Sequence, residues 1–481
     1  MAGNRGWILL VTIFTAVLVA YFGVWNFGFV FDDFTHLVEN SYVHSIVPIS
    51  KFFLEPGVFV GDLEHSQNWR PVAALAAAVG WVVFGENPAG YHVVNLFLHL
   101  ANLVLLYFLA LKLLGKEWLA GIAVLIWAVH PVLTESVTWI AAQNNLLWTT
   151  FFLAACLLIQ NKKFWWAIGF FALAVLTKET ALAGLPILLL LMHWKKDSAT
   201  KISNPTLGYA VLIIAYLIGR FSILGNVPGE DWGSVLIVPA VFWKYVSLAF
   251  WPADLIVNYN PFSNFPSPQN LLDGRVIGGL LSAIAIVWLL KYFWKRNWRA
   301  EFFGLIWSAI FLLPVLQIIP FVDLIGERAL YAPLIGLTLV VVSLVNRFNP
   351  KLFWLSVIIV PLFIYLTIVR NQDWRSERTI WESALRVDPA NARAYANMTY
   401  YYLNTDIDPK KALELADQFL KIRPGYRTVW INWATANSML GNYQVAETEL
   451  LTILAQYPGD AAVLRSLDHN RQRWRDSSIQ D

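Results

Sequence analysis

Cys156 is the only cysteine in 481 residues, which excludes an intramolecular disulfide framework and a cysteine-built zinc site. Charge is scarce too: Asp, Glu, Lys and Arg make up 14% of the chain against 58% hydrophobic residues, too little for an ordinary soluble globule. No run of Lys and Arg resembles a nucleic-acid arm and the net charge is only +3, so nucleic acid is not an expected partner. Arg5 precedes the apolar stretch Trp7 to Trp25 as in a secretory signal, but no small-residue cleavage pattern follows, and a retained first helix is predicted. No internal duplication of apolar segments is visible, which counts against a transporter.

What the chain does have is apolar stretches rich in aromatic rings, with 24 Trp, 18 Tyr and 31 Phe, as expected where rings settle at membrane interfaces. The predicted class is an all-α polytopic membrane protein. About eleven segments are read as spans of a hydrocarbon layer about 30 Å thick. They run over 7–25, 90–114, 118–131, 145–161, 164–177, 180–194, 206–225, 276–294, 302–320, 329–346 and 352–369. Pro71 to Phe84 and Ile237 to Trp251 are read as helices lying at the membrane surface, because counting them as spans spoils the charge asymmetry of the loops.

With the N-terminus placed in the cytoplasm, the basic clusters Lys112/Lys116, Lys162/Lys163, Lys195/Lys196/Lys201, Lys291/Lys295/Arg296/Arg299 and Arg347/Lys351 fall on one side, as the positive-inside rule requires. The other side collects Asp32, Asp33, Arg70, Glu135, Lys178, Glu179, Glu230, Asp231, Asp254, Glu327 and Arg328. The polar chemistry is therefore expected on the extracytoplasmic face.

Asp32 and Asp33 stand just beyond the first apolar stretch. A carboxylate costs about 2.5–3.5 kcal/mol at a bilayer centre on insertion scales, so a pair at the membrane edge points to function; the plain alternative is two solvated loop residues. In 90–114, His92, Asn95, His99 and Asn102 share one helical face. Interhelical hydrogen bonding explains such a face, and substrate contact is a second use for His92 and Asn95. His36, His44 and His65 share the first outer loop, 26–89, with the aspartates, without ligand spacing that would define a metal site. Arg70 and Arg328 each carry a guanidinium fork that suits phosphate oxygens or an ordinary interface anchor. Lys178 and Glu179 are read either as a pair bracing two close spans or as ligand contacts.

After Arg370 charged residues rise, and Pro389, Pro424 and Pro458 recur roughly 34 to 35 residues apart, the tetratricopeptide period. Trp430, Gly441, Tyr443, Ala446, Leu450 and Pro458 stand near consensus positions of one unit. Arg378 to Pro389 reads as the second helix of an incomplete unit, and Asp460 to Arg475 as a polar cap. Two domains are predicted: a membrane domain over 1–370, and an extracytoplasmic repeat domain over 371–481.

The order of these features, an acidic pair, Arg70-Pro71, Tyr91-His92-Val93-Val94-Asn95 with His99, His130-Pro131 with Glu135, Lys178-Glu179, Glu327-Arg328 with Tyr331, then the repeats, resembles the transmembrane-and-tetratricopeptide-repeat O-mannosyltransferases of the GT-C class, as a distant microbial member. The resemblance implies transfer of a sugar, mannose or another hexose, from a polyprenyl-phosphate donor to Ser or Thr of extracytoplasmic proteins. It implies Asp32 and Asp33 as catalytic carboxylates, Arg70 and Arg328 on the donor phosphate, and His92, Asn95, Glu135, Lys178, Glu179 and Glu327 around the substrate cavity. No cofactor is required, and a divalent metal is left open. A lipid-linked or cell-envelope glycan is the alternative acceptor, and a non-catalytic scaffold the alternative class. Where family members often carry an Arg and an acidic residue, this chain reads Gln143-Asn144-Asn145; either Arg70 or Arg328 then does more, or the donor differs.

Overall fold

The computed structural model describes residues 4–61, 68–193, 203–224, 234–320 and 323–480. His65, Lys195, Lys196, Lys201, Glu230 and Asp231, named above, lie outside the described residues. Among those described the fold is helical, without a strand. The chain divides into two compact units, Met1–Leu255 with Ser267–Arg375, and Ile256–Pro266 with Ser376–Asp481.

The first unit holds α1 (Asn4–Ala20), α2 (Pro71–Phe84), α3 (Pro88–Leu114), α4 (Glu117–Ala128), α5 (Gln143–Gln160), α6 (Phe164–Thr177), α7 (Leu185–His193), α8 (Ser203–Leu224), α9 (Ile237–Phe250), α10 (Gly274–Lys295), α11 (Arg299–Leu312), α12 (Pro333–Phe348) and α13 (Ser356–Asp373). Each of the eleven expected segments contains a helix. Among the described residues six helices are long and apolar enough to cross a membrane, seven if the pair α4 and Pro131–Val137, bent by 58°, counts as one span. The chain is thus multi-pass; of the remaining expected spans, 164–177 is helical over its whole 14 residues, while 118–131, 302–320 and 329–346 are cut short. Prolines do the cutting: Pro131 ends α4 early, Pro314 stops the expected 302–320 segment at Leu312, and Pro333 delays the next helix. Proline lacks the amide hydrogen and disfavours a helical residue before it. The carbonyls freed around Pro131 find partners, since the Thr367 hydroxyl donates to the Val129 carbonyl at 2.9 Å. α2 and α9 have 14 residues each, about 21 Å at 1.5 Å per residue, too short to cross a layer about 30 Å thick.

α3 runs unbroken for 27 residues because its ends are well specified: the Asn87 side chain accepts from the Ala89 amide at 3.1 Å, Pro88 opens the first turn, and Gly115 at φ 72 closes the last. α11 and α12 approach so closely at Gly304 and Gly336 that a Cβ on either would stand within 2.6 Å of the other's carbonyl oxygen. The Ser308 hydroxyl donates to the Pro333 carbonyl there at 2.8 Å, the small-residue contact that binds helices where lipid supplies no hydrophobic drive.

The second unit contains α14 (Glu377–Val387), α15 (Ala392–Asn404), α16 (Pro409–Ile422), α17 (Arg427–Met439), α18 (Tyr443–Gln456) and α19 (Ala461–Gln480). α14 is a lone helix, two helical hairpins follow, and α19 closes the array. Gly425, Gly441 and Gly459 take positive φ at the turns, while Ala434, Ala446 and Leu450 are fully buried between helices. The segment Ile256–Pro266 packs into this same unit. The Asn391 amide donates to the Asn258 carbonyl at 3.2 Å, the Ser263 hydroxyl donates to Asp388 at 2.5 Å, and Arg423 covers the Phe262 ring at 4.5 Å.

Candidate active site

The two aspartates are neighbours in sequence but live in different surroundings. Phe31, just before them, has φ 52, a left-handed conformation that costs a bulky residue about 1–3 kcal/mol and persists where the surroundings enforce it. Its ring stacks on Trp139 at 5.5 Å, which holds the loop. Asp33 is fully buried, and its carboxylate accepts from the Val30 amide at 3.0 Å and the Ala141 amide at 2.7 Å. Those bonds favour the ionised form and tie the aspartate loop to the one opening α5. Asp32 is half-buried. A single π-helical turn follows, Phe34–Val38, closed by the Glu39 amide on the Phe34 carbonyl at 2.7 Å; such turns recur at functional sites.

Around this loop stand three ion-paired groups. Arg70 grips Glu179 with both ends of its fork, Nε to Oε2 at 3.0 Å and Nη2 to Oε1 at 2.5 Å, and lies over the Phe59 ring at 5.5 Å. Arg328 pairs with Glu135 and Asp323, Glu135 also accepts the Arg328 amide at 2.8 Å, and the guanidinium sits 5.2 Å over the Trp139 ring. Arg370 donates to Glu327 at 3.2 Å and Asp373 at 2.9 Å. Lys178 donates to the Asn145 side chain at 2.5 Å. Burial, then the positive charges of Arg70 and Arg328, bring the Lys178 amine down to about 7.

The polar face of α3 serves packing at its inner positions. His99 bonds Tyr331 Oη at 2.8 Å and meets the Ala128 carbonyl at 3.0 Å, and Asn102 donates to the Leu146 carbonyl and to Tyr331 Oη. Asn95 donates to the Trp139 carbonyl at 3.1 Å, so it braces the loop whose Trp139 ring packs against Phe31 and Arg328. His92 is buried, edge-on to Phe27 at 6.3 Å.

A cavity of about 30 Å³ is lined by Asp33, His36, Tyr91, Ala141, Gln143 and Asn144, among others. It holds about one water and no sugar. Burial, then Arg70 and Arg328, hold His36 at about 4, so its ring is neutral at pH 7. His44 is committed elsewhere, stacked on Trp81 at 3.7 Å and bonded to the Leu37 carbonyl at 2.9 Å. Among the described residues no three of His, Cys, Asp and Glu gather as a metal site.

Three members of the layer were not singled out from the sequence. Asp323 and Arg370 complete ion pairs whose partners were named, and Arg220 of α8 acts on Glu179 together with Arg70 and Lys178. Arg220 carried a readable signal, a lone charge inside an otherwise apolar span.

No protein-family model matches the chain, and no solved structure matches it. It is similar to a protein O-mannosyl-transferase of Caenorhabditis elegans, 26% identical over 428 residues, covering 82% of this chain and 60% of that protein. It is also similar to the human protein O-mannosyl-transferase TMTC3, at 24% identity with 86% and 51% covered. For the Tmtc3 of Drosophila melanogaster the figures are 24%, 95% and 59%. The chain thus spans between half and three fifths of the length of these curated relatives. The resemblance read from motif order therefore extends over most of the chain.

Proposed function

We propose that this protein moves a hexose, mannose in the first instance, from a polyprenyl-phosphate donor to Ser or Thr hydroxyls of extracytoplasmic proteins. The observation that carries the proposal is a half-buried carboxylate, Asp32, beside a fixed one, Asp33, next to a layer containing Arg70, Lys178 and Arg328. The names of the similar proteins support the mannosyl transfer and the protein acceptor.

In this reaction the acceptor oxygen attacks C1 of the sugar while Asp32 takes the hydroxyl proton. The bond between C1 and the phosphate oxygen breaks, and its electron pair leaves with the phosphate. Asp32 is the base because Asp33 already spends both oxygens on backbone amides; Asp33 positions the loop. Arg70 and Arg328 face the phosphate, where fixed cations stabilise charge that grows in the transition state. Glu179 holds Arg70 and Glu135 holds Arg328 in place, Glu327 anchors Arg370, and Lys178 adds a further amine to the layer beside Asn145. Asn95 and His92 support the Trp139 loop. The leaving group is already a phosphate, so no nucleotide is consumed and no metal is demanded. The N-terminus lies in the cytoplasm, which sets the polar layer and the repeats outside, where the repeats offer a helical surface to an extended acceptor.

The test is turnover. Purified protein in lipid, given a panel of polyprenyl-phosphate sugars with and without acceptor peptides, should release lipid phosphate only when a peptide bearing Ser or Thr is present. A protein that binds peptide but neither binds nor turns over any donor is a scaffold.

A further inference from the structure

α8 is one of three long helices of the membrane unit with few buried residues, beside α10 at 17% and the Pro350–Asp373 span at 6%. In the spanning window of α8 only 11% of residues are buried, and Leu207, Val211, Ile214, Ile218 and Phe221 are exposed along one stripe, as on a helix that faces lipid. Its other face carries Tyr209, Tyr216 and Arg220, at i, i+7 and i+11, which share one side of an α-helix. Tyr209 is 1% exposed and meets Phe171 edge-on at 5.7 Å; Tyr216 is 4% exposed and lies against Trp69 at 5.5 Å. Gly219 lets Trp69 approach, since a Cβ there would stand 3.2 Å from that ring. Trp69 precedes Arg70, so this packing brings Arg220 to the Arg70–Glu179 pair.

The charges on the two sides of the layer are unequal. Among the described residues Arg70 and Arg220 act on Glu179, joined by Lys178 when its amine, at about 7, is protonated, so two to three positive charges face one carboxylate. Arg328 sits between Glu135 and Asp323, one cation to two carboxylates. An anion is drawn more strongly to the first group than to the second, where Glu135 and Asp323 offset much of the Arg328 charge.

We propose that Arg220 is a further phosphate-binding residue, completing with Arg70 and Lys178 a site for a lipid-linked phosphate that enters beside α8. This rests on the polyprenyl-phosphate reading above. A guanidinium on the membrane-facing helix meets the phosphate at headgroup depth while the polyprenyl chain stays in the bilayer. As the bond from C1 to phosphate oxygen breaks, the phosphate gains negative charge beside these cationic groups, which favours departure of the leaving group.

The experiment measures binding to the full chain in nanodiscs of zwitterionic lipid, with three probes: a short polyprenyl phosphate, the matching polyprenol, and inorganic phosphate. A charge-assisted hydrogen bond of this kind corresponds to about tenfold or more in affinity. R220Q should therefore weaken polyprenyl phosphate by about that factor and leave polyprenol unchanged. R220K, which keeps the charge, should stay within about threefold of wild type and serves as the folded partner if R220Q does not fold. In that case R220K is compared at low and high salt, and its binding should weaken with salt as in wild type. Inorganic phosphate should compete poorly, because it lacks the chain that the bilayer holds. Wild-type affinity in R220Q, or salt-insensitive binding in R220K and wild type alike, would overturn the role of Arg220 and leave the donor reading standing. Full displacement by inorganic phosphate would overturn the lipid-linked ligand, and failure of wild type to bind polyprenyl phosphate at all would overturn the donor reading with it.

Discussion

Ion pairs in the membrane unit and in the repeat unit are made from the same residue types but sit in different places. Around the aspartate loop of the membrane unit they are withdrawn from water: side-chain exposures are 5% and 0% for Arg370 with Glu327, and 19% and 1% for Arg328 with Glu135, whereas Arg347 of that unit, paired with Glu301, is 41% exposed. In the repeat unit they lie open, at 50% and 43% for Arg378 with Glu382 and 42% and 54% for Lys411 with Glu414. Open pairs are screened and contribute about 0.2–1 kcal/mol. Buried ones cost several kcal/mol of desolvation per ion and are weak evidence for stability in themselves. Several of them gathered in one layer support the proposed sugar transfer as the reason they are kept.

The largest expected effect is therefore in the membrane unit. Glu135→Ala leaves Arg328 with Asp323 as its remaining named carboxylate and should destabilise the fold by about 3–5 kcal/mol. Thermal unfolding in detergent checks it, and an unchanged midpoint would show that the pair is not truly desolvated. A middle effect is expected where a neutral buried bond holds the repeat unit. Asn391 is fully buried, caps α15 through the Ala394 amide at 3.0 Å and also holds the Asn258 carbonyl. Asn391→Ala should cost about 1–3 kcal/mol, read as a lower denaturation midpoint. The smallest belongs to the open pairs: Glu382→Ala should move stability by no more than about 1 kcal/mol, and a loss as large as that of Glu135→Ala would erase the contrast between the units.

How much of this was legible in the sequence follows the same division. Helices were visible because apolar length is local information, and the repeats because Pro424 and Pro458 with their glycines mark turns at a fixed period. Pairings were not visible. Arg70 finds Glu179 from 109 residues away and Arg328 finds Glu135 from 193, and nothing in either segment names its partner. Asn102 and His99 could be read as packing residues from their helical face, yet their shared partner Tyr331 appears only in the fold. The docking of Ile256–Pro266 within the repeat unit also escaped the sequence, because a Pro- and Asn-containing loop carries no period. Asp32 and Asp33 could not be told apart by sequence, since their difference lies in the Val30 and Ala141 amides.

That difference supplies the most direct test of the assignment. Asp32→Asn keeps the shape of the side chain and removes its ability to take a proton, so turnover should fall by about 10²–10⁴-fold, with donor binding and unfolding midpoint unchanged. Measured in one preparation by lipid-phosphate release, donor binding and thermal unfolding, that pattern is the result expected of a base that acts on the acceptor. Near wild-type turnover in Asp32→Asn would contradict it.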